Sequence, residues 1–196
     1  CGVVGSNAIR VAMGMRAHVA VLDNSLQRLK ELDFHFGSAL DTVFSTREAL
    51  ARHVSGADLV IGAVLVPGAS APKLVTRDMV KTMRPGSVVV DVAIDQGGCC
   101  ETSRPTTHAA PTYVEHGVVH YCVSNMPAAV ARTSAFALNN ATLPFVLALA
   151  NQGYRKALAE DPHLRDGLNV HRGHITCEAV AQALGLAWLP VAEALG

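Results

Sequence analysis

The sequence predicts an α/β fold with a Rossmann-type doubly wound parallel sheet, followed by a mostly helical C-terminal segment. Short apolar runs alternate with amphipathic helical patterns over the first two-thirds of the chain, which is typical of parallel strands joined by helical crossovers. A glycine-rich turn precedes the first helical pattern, and an acid closes the first apolar run. After Pro127 the strand pattern stops and helical periodicity replaces it.

The chain opens with a turn that contains Gly2 and Gly5 and leads into an amphipathic helical run. An apolar stretch from His18 to Leu22 then ends at Asp23, about 18 residues after Gly5. Glycines at such a turn let the backbone approach a pyrophosphate at a helix N-terminus, and the acid binds ribose hydroxyls. The fingerprint lacks its first glycine and first strand, so we expect the chain to be part of a longer protein.

The next elements alternate in type, and several carry their own start or stop signals. Thr46 and Thr76 are predicted helix N-caps, and Gly37 is a predicted C-cap. We expect "DLVIGAVLV" and "SVVVDVAID" to be strands buried on both faces. In chain order the predicted elements are strand "HVAVL", helix "SLQRLKELDFHFG", strand "LDTVF", helix "TREALARHVSG", strand "DLVIGAVLV", helix "TRDMVKTMRPG", strand "SVVVDVAID" and strand "VVHYCVS".

The last third of the sequence is predicted to be mostly helical. A long helical run contains Pro144, where we expect a kink. It is followed by "GLNVHRGHITCEAVAQALGL", which predicts a small extended pair and a helix capped by Thr176. We place a boundary near Arg132, which gives a dinucleotide-binding domain over 1–132 and a helical segment over 133–196.

Composition excludes several classes of protein. Half of the 196 residues are hydrophobic, 16% are charged and the formal net charge is zero, which argues against nucleic-acid binding. The longest apolar run, Leu143 to Ala150, is shorter than the roughly 20 residues of a membrane span. Five cysteines and nine histidines show no metal-ligand spacing. The odd cysteine number argues against a disulfide framework and favours a reducing, cytoplasmic setting.

Candidate site residues follow the strands, because ligands of such sheets bind outside the carboxyl ends of the strands. If the strands are parallel, these segments lie along one edge. They are Gly2 to Gly5, Asp23, Ser45, Val64 to Gly68, Asp95 to Gly98, and Ser124 to Met126.

Four charged residues lie among or near these segments, and two of them, Arg28 and Asp95, have more than one interpretation. Asp23 would repel a 2′-phosphate and therefore favours NAD over NADP, whereas Arg28 either softens that preference or is a solvated helix-surface residue. Asp95 is either a site residue, which orders a ribose or transfers a proton, or a turn former. Asp91 is expected to be a strand-end acid that backbone amides satisfy.

Long stretches of the sequence resemble the bacterial alanine dehydrogenases, which share ancestry with the nucleotide-binding subunit of proton-translocating transhydrogenase. The most specific stretches are "IGAVLVPGASAPKLV" and "DVAIDQGG". Transhydrogenases typically carry an Ala-Glu-Asn-Gly-Gly-Asn segment where this chain has "AIDQGG", so Asp95 and Gln96 favour the dehydrogenase branch. The matching stretches are "GVVGSNAIRVAMGM", "VLDNSLQRLKELD", "DLVIGAVLVPGASAPKLVTRDMVKTMRPGSVVVDVAIDQGGCCETSRPTTH", "GVVHYCVSNMPAAVARTS" and "ALNNATLPFVLALANQG".

The resemblance implies an enzyme that uses NAD for the reversible oxidative deamination of L-alanine to pyruvate and ammonia. It implies that Asp95 is catalytic beside the nicotinamide, that Asp23 holds the adenosine ribose, and that Arg28 and Ser45 contact the adenosine half. Gly2, Val3, Val4 and Gly5 match the pyrophosphate turn. The further cofactor contacts that it implies are Val64, Leu65, Val92, Ala93, Ile94, Asp95, Arg104, Val123, Ser124, Asn125 and Met126.

The family also has an N-terminal substrate domain that supplies an arginine, a lysine and a catalytic histidine, and this sequence contains none of that domain. The resemblance therefore implies that 133–196 packs on that largely absent second domain, and that residues 1–196 are neither active nor self-sufficient in folding alone. It further implies a homohexamer. The alternative functions are the transhydrogenase subunit and a non-catalytic NAD-binding module.

Overall fold

The computed structural model describes residues 1–66 and 70–196, so residues 67 and 68 of the predicted segment Val64 to Gly68 lie outside the described residues. The chain forms two compact units. The first contains Cys1–Leu65 and Ala71–Met126, and the second contains Pro127–Gly196 with Val66 and Ser70. That the second unit belongs to a substrate domain stays a prediction.

The elements of the first unit alternate between helices and strands for most of its length, as the sequence predicts. A short 3-10 helix, Val92–Gln96, follows the fourth strand. The other elements are α1 (Val3–Gly14), β1 (Val19–Asp23), α2 (Leu26–Phe36), β2 (Leu40–Phe44), α3 (Arg47–Gly56), β3 (Leu59–Gly62), α4 (Arg77–Thr82), β4 (Val88–Asp91), β5 (Thr112–Glu115) and β6 (Val118–Tyr121).

The strands of the first unit form two sheets within the described residues. In one, β1 pairs with β2 in parallel. The other has the order β3-β4-β6-β5, in which β3, β4 and β6 are parallel and β5 runs antiparallel to β6. The predicted α/β class with parallel strands is confirmed, but the parallel strands are divided between two sheets, and β5 was not predicted.

The start and stop signals of the first unit are confirmed. The Thr46 and Thr76 hydroxyl oxygens accept hydrogen bonds from the backbone N–H groups of Ala49 and Met79, at 3.1 and 3.2 Å. Gly37 ends α2 with φ +58°, a left-handed conformation that favours glycine.

Two strand predictions need correction. β3 covers only Leu59–Gly62. Leu59 and Ile61, which share one face of the strand, are 49% and 38% exposed, whereas Val60 on the other face packs against a buried apolar cluster, so β3 is covered on one face only within the described residues. β4 ends at Asp91 and does not continue through "VAID", because that segment turns into the 3-10 helix. Both strands are therefore shorter than their apolar runs.

Two clusters of buried apolar side chains hold the helices of the first unit on their sheets. In the first sheet, Ile9 of α1 packs with Leu29 and Leu32 of α2 against Val21 and Leu40 of the strands. Under the second sheet the buried cluster joins α3, α4, β4 and β6. Its members are Val54, Val75, Met79, Val80, Met83, Val89, Cys100 and Val118.

The second unit is helical except for a small hairpin, as the sequence predicts. Its N-cap prediction is wrong: Cys177 precedes α8, and the Thr176 hydroxyl donates instead to the Leu168 carbonyl oxygen at 2.5 Å. The elements are α5 (Ala131–Gln152), α6 (Tyr154–Glu160), α7 (Pro162–Asp166), β7 (Val170–His171), β8 (His174–Ile175), α8 (Glu178–Leu184) and α9 (Val191–Leu195).

The apolar character of α5 is its main feature. The stretch Met126–Gln152 has 27 residues and a mean hydropathy of 1.3, and is long and apolar enough to cross a membrane by length and composition. Pro144 lies inside the helix, and none of the α5 residues is buried. A helix that another domain covers meets the same two criteria, so the finding does not by itself assign a membrane span.

Candidate functional site

The glycine-rich turn leads directly into α1, a helix of 12 residues. No side chain of the described residues caps its N-terminus, and a Cβ placed on Gly2 would have no described atom within 4 Å. Val3 is 80% exposed, whereas the Cys1 thiol lies against Gly5. The positive dipole end of the helix is therefore accessible at Gly2 and Val3, as the binding of an anionic group requires.

The Asp23 carboxylate lies beside this turn. One oxygen accepts a hydrogen bond from the Ser25 backbone N–H at 2.8 Å, and the other lies against the backbone nitrogen of Cys1. Ser45, which follows β2, donates its backbone N–H to the Asp23 carbonyl oxygen at 2.9 Å. The structure thus brings together three features that the sequence separates: the turn, Asp23 and Ser45.

Arg28 ties α2 to the same turn. Its Nε donates to the Cys1 carbonyl oxygen at 2.7 Å, and its Nη2 donates to the Ser6 hydroxyl at 2.6 Å. Its Nη1 donates to Glu31 at 2.9 Å, and this contact holds the pKa of that carboxyl below its usual value. Arg28 is therefore not a freely solvated helix-surface residue, because every nitrogen of its guanidinium is bonded.

The remaining predicted residues gather at the carboxyl edge of the second sheet. The register pairs Gly62 with Asp91 and Val90 with Tyr121, so the segments that follow β3, β4 and β6 leave the sheet side by side. Ala93, Ile94 and Val123 are buried, and only their backbone can contact a ligand. The more accessible residues of this group are Val64, Leu65, Val92, Asp95, Arg104, Ser124, Asn125 and Met126.

Asp95 lies on the outer side of the 3-10 helix that follows β4. Ala93 and Ile94 anchor the inner side in the core, and the Asp95 side chain is exposed. No donor in residues 1–66 or 70–196 is bonded to its carboxylate. Gly97 and Gly98 then reverse the chain with φ of +88° and +77°. The carboxylate is thus free to act on a ligand.

The buried carboxylate of Asp91 is stabilised by hydrogen bonds from backbone amides. It is fully buried, and its two carboxylate oxygens accept hydrogen bonds from the backbone N–H groups of Cys99 and Cys100, at 3.2 and 3.1 Å. A Cβ on Gly98 would lie 2.8 Å from one of these oxygens, so glycine is required there. This geometry agrees with the prediction of a strand-end acid satisfied by backbone amides.

The adjacent cysteines fill the space around Asp91. Both thiols are free and buried. Burial, with a smaller contribution from the Asp91 charge, raises the pKa of Cys99 to about 12. The Cys99 thiol therefore stays protonated at neutral pH, which does not suit a redox-active pair.

A chain of buried polar groups, which the sequence analysis missed, continues behind the Asp95 turn. His120 Nδ1 lies 3.0 Å from the Val118 carbonyl oxygen, which can only accept, so Nδ1 carries the proton. His120 Nε2 then accepts from the Thr102 hydroxyl at 2.7 Å, and that oxygen in turn accepts from the Cys100 thiol at 3.0 Å. A polar residue inside the apolar run "VVHYCV" was the only sequence signal.

Arg104 rests on an aromatic platform. Its guanidinium carbon lies 3.9 Å from the centre of the Tyr113 ring, and its backbone N–H donates to the Tyr113 hydroxyl at 2.9 Å. Tyr113 stacks on His120 with ring centres 5.1 Å apart. The buried polar chain therefore supports a predicted cofactor contact from behind.

The buried state of His120 predicts an acid-sensitive fold. Burial holds the pKa of His120 below its ordinary value, against the opposing effects of its bond to Val118 and of nearby Glu115 and Asp91. Below about pH 6.5 the unfolded chain binds a proton at this histidine that the native protein does not bind. The free energy of unfolding therefore decreases as the pH is lowered. We expect denaturant unfolding, repeated between about pH 7 and 5, to show this decrease. In His120→Gln the free energy of unfolding should depend less steeply on pH.

The matched control for this measurement is His163→Gln, at an exposed position of α7. In this variant the free energy of unfolding should depend on pH as it does in the unsubstituted protein. The same pH dependence in all three proteins would show that His120 does not titrate on unfolding.

Metal ligation has no candidate in the described ranges. Among residues 1–66 and 70–196, no three His, Cys, Asp or Glu side chains lie close enough together to hold a metal ion.

Comparison with known proteins now places the chain. The family model for the alanine dehydrogenase/PNT C-terminal domain matches residues 1–178. The chain belongs to this family. An alanine dehydrogenase of Halomonas elongata is 63% identical over 195 residues, which cover 100% of this chain and 53% of that protein. Alanine dehydrogenase 2 of Staphylococcus aureus is 52% identical, over 99% of this chain and 52% of its own length.

Solved structures of the family show the same fold. An L-alanine dehydrogenase matches with a TM-score of 0.84 and 50% identity, over 94% of this chain and 51% of that one. A transhydrogenase from Sinorhizobium meliloti matches less well, with a TM-score of 0.61 and 32% identity, over 69% of this chain and 38% of that one. The predicted resemblance is confirmed. The chain spans about half the length of the curated relatives it matches.

Proposed function

We propose that the chain forms the cofactor-binding half of an NAD-dependent alanine dehydrogenase, which interconverts L-alanine with pyruvate and ammonia. The observation that carries this proposal is the exposed carboxylate of Asp95 at the carboxyl edge of the second sheet, to which no donor of residues 1–66 or 70–196 is bonded. It lies in the segment "AIDQGG", in a chain 63% identical to an alanine dehydrogenase.

The site has the chemistry that NAD requires. The uncapped amides of α1 suit the pyrophosphate, and the open space in front of Gly2 admits its close approach. Asp23 supplies acceptors for the adenosine ribose, with Arg28 and Ser45 at the same place. The nicotinamide half would be held by the residues at the edge of the second sheet: Val64, Leu65, Val92, Ala93, Ile94, Asp95, Arg104, Val123, Ser124, Asn125 and Met126.

The division of labour follows from these positions. When bound, NAD supplies the hydride acceptor for oxidation at the substrate Cα. The helix N-terminus and Asp23 bind and orient the cofactor. The Asp95 carboxylate holds or accepts a proton at one of its oxygens near the reacting centre, since nothing else in the described chain occupies it.

The exposed apolar surface of α5 bears on how this chain joins the rest of the full-length protein, which would supply the residues that bind the substrate. We propose that α5 and the following helices pack on an N-terminal substrate domain. Phe136, Leu138 and Val146 of α5 are exposed in the described chain, and apolar surface of this extent normally has a partner. The homohexamer is a further proposal that rests on the family resemblance, and the cytoplasmic location is a further proposal that rests on the cysteine pattern.

Activity of the full-length protein with L-alanine and NAD tests the function. NADH should form only when both are present, and pyruvate and ammonia should appear in equal amounts. The alternatives are a transhydrogenase subunit and a non-catalytic NAD-binding module. The structural match to a transhydrogenase is the observation that supports the transhydrogenase alternative. Hydride exchange between two nucleotides without alanine turnover would favour the transhydrogenase, and NAD binding without either reaction would favour the binding module.

Asp23 should set the choice of cofactor. We expect the full-length protein to prefer NAD over NADP, because a carboxylate beside α1 accepts ribose hydroxyls and repels a 2′-phosphate. Asp23→Ala removes both effects and should lower the ratio of kcat/KM for NAD to that for NADP about tenfold or more. The measurement is initial rates with each cofactor.

Asp33→Ala provides the control, because Asp33 is an exposed acid on α2. It should leave the ratio unchanged. Equal use of both cofactors by the unsubstituted protein would contradict the role given to Asp23.

A further inference from the structure

We propose that Lys73 is the positioning residue of the Asp95 turn: its ammonium binds the backbone carbonyls behind Asp95 and thereby sets where the Asp95 carboxylate lies. Lys73 is not among the candidate site residues that the sequence predicts, nor among the cofactor contacts that the family resemblance implies. The inference rests on the proposed function, in which Asp95 acts at the reacting centre.

The Lys73 ammonium is bound entirely by backbone oxygens. Its Nζ donates to the carbonyl oxygens of Gly97, Gly98 and Cys100, at 2.5, 2.8 and 3.4 Å. An ammonium has three N–H donors, and three acceptors are present. Lys73 takes part in none of the ion pairs of the described residues. Its charge therefore acts on the turn and not on a carboxylate.

The turn has a physical need for a cation at this point. Gly97 and Gly98 both adopt left-handed backbone conformations. With Cys100 they direct three carbonyl dipoles toward one place, where the negative ends repel each other. A cation at that place converts the repulsion into three charge-assisted hydrogen bonds.

A second charged group, Asp91, binds the same turn. Asp91 accepts the backbone N–H groups of Cys99 and Cys100, while Lys73 binds carbonyl oxygens of Gly97, Gly98 and Cys100. The Asp91 carboxylate thus binds N–H donors of this short segment, and the Lys73 ammonium binds its carbonyl acceptors. Asp91 is buried, whereas Lys73 reaches the turn from the surface, so only Lys73 can be replaced without opening the core.

Backbone bonds hold the Lys73 segment in place independently of its side chain. The Ala71 N–H donates to the Gln96 carbonyl oxygen and the Leu74 N–H donates to the Cys99 carbonyl oxygen, both at 2.8 Å. The Glu101 N–H donates to the Val75 carbonyl oxygen at 2.9 Å. Because this short ladder remains when the ammonium is removed, we expect a Lys73 variant to fold.

The consequence for Asp95 follows from its lack of other contacts. No donor in the described residues holds its carboxylate, so its position depends on the turn that carries it. A misplacement of about 1 Å at a reacting centre costs up to about 10² in rate. Loosening the turn should therefore lower the rate of the chemical step more than it weakens cofactor binding.

Lys73→Met in the full-length protein is the test. We expect kcat with L-alanine and NAD to fall about tenfold or more, while KM for NAD changes less than about threefold. Lys73→Arg keeps a cation with several donors and should recover most of kcat. Lys81→Met is the matched control, since it removes a surface lysine that pairs with Asp78 on α4, and it should leave kcat unchanged.

A kinetic isotope effect separates positioning from simple loss of folded protein. With alanine deuterated at Cα, slower hydride transfer should raise the isotope effect on kcat in Lys73→Met. A smaller number of active sites, counted by NADH titration, would lower kcat without changing this ratio. The pH profile of kcat serves as a second readout that does not depend on the amount of active protein.

The outcomes distinguish the two proposals. An unsubstituted protein that does not oxidise L-alanine would overturn the proposed function. If that protein is active but Lys73→Met matches Lys81→Met in kcat, or loses kcat only in proportion to its active sites with an unchanged isotope effect, the role of Lys73 is overturned. A raised isotope effect that Lys73→Arg reverses supports it.

Discussion

Replacing Asp95 by asparagine in the full-length protein should lower turnover by about 10² or more, the usual cost of losing an acid–base group. The amide keeps the size and polarity of the side chain but cannot accept a proton. The fold should be unaffected, because the carboxylate is exposed and no donor in the described residues is bonded to it. The measurements are kcat with L-alanine and NAD, and the thermal unfolding midpoint.

Asp58→Asn is the control for this substitution. Asp58 is an exposed acid before β3 whose side chain contacts Arg84 at 3.3 Å, and it lies outside the proposed site. It should retain normal turnover. If Asp95→Asn also retained near-normal turnover, Asp95 would be reduced to a turn former, which is the second interpretation that its sequence context allows.

Asp91→Asn should produce the opposite pattern, in which stability falls more than turnover. The buried carboxylate accepts two backbone N–H groups, one on each oxygen, and an asparagine side chain has only one acceptor oxygen. One amide is then left facing an NH₂ group in the core. We expect the free energy of unfolding to fall by about 1–3 kcal/mol, the cost of an unsatisfied buried polar group.

Denaturant unfolding of the full-length protein measures this effect. The midpoint should decrease with little change in the slope of the transition, which indicates a change of stability and not of compactness. Turnover per folded active site should fall less than in Asp95→Asn. An unchanged midpoint would show that the turn after β4 does not depend on the Asp91 bonds.

Features that depend on neighbouring residues in the chain were predictable from the sequence. Thr46, Thr76 and Gly37 cap their helices as expected, because capping is a bond between groups three or four residues apart. Thr176 is the exception. Its hydroxyl bonds to Leu168 across the base of the hairpin, a partner that the helix pattern cannot indicate.

The candidate site was predictable to the extent that strands and turns alone place it. The spacing between the glycine turn and Asp23 predicted their proximity, and the structure places the carboxylate beside that turn. The interpretation of Asp91 as a strand-end acid agrees with its bonds to Cys99 and Cys100. Whether these groups bind NAD and whether Asp95 is catalytic remain proposals that the experiments above test.

By itself the sequence determined the α/β alternation, the order of elements, most helix ends and the family to which the chain belongs. Only the tertiary structure decided that one face of β3 is exposed, that β4 ends at Asp91 and that Lys73 binds the turn behind Asp95. The physical reason is distance along the chain. Periodicity and capping act within a few residues, whereas sheet edges and the bonds from Lys73 to Gly97 and from Thr102 to His120 join segments that only folding brings together.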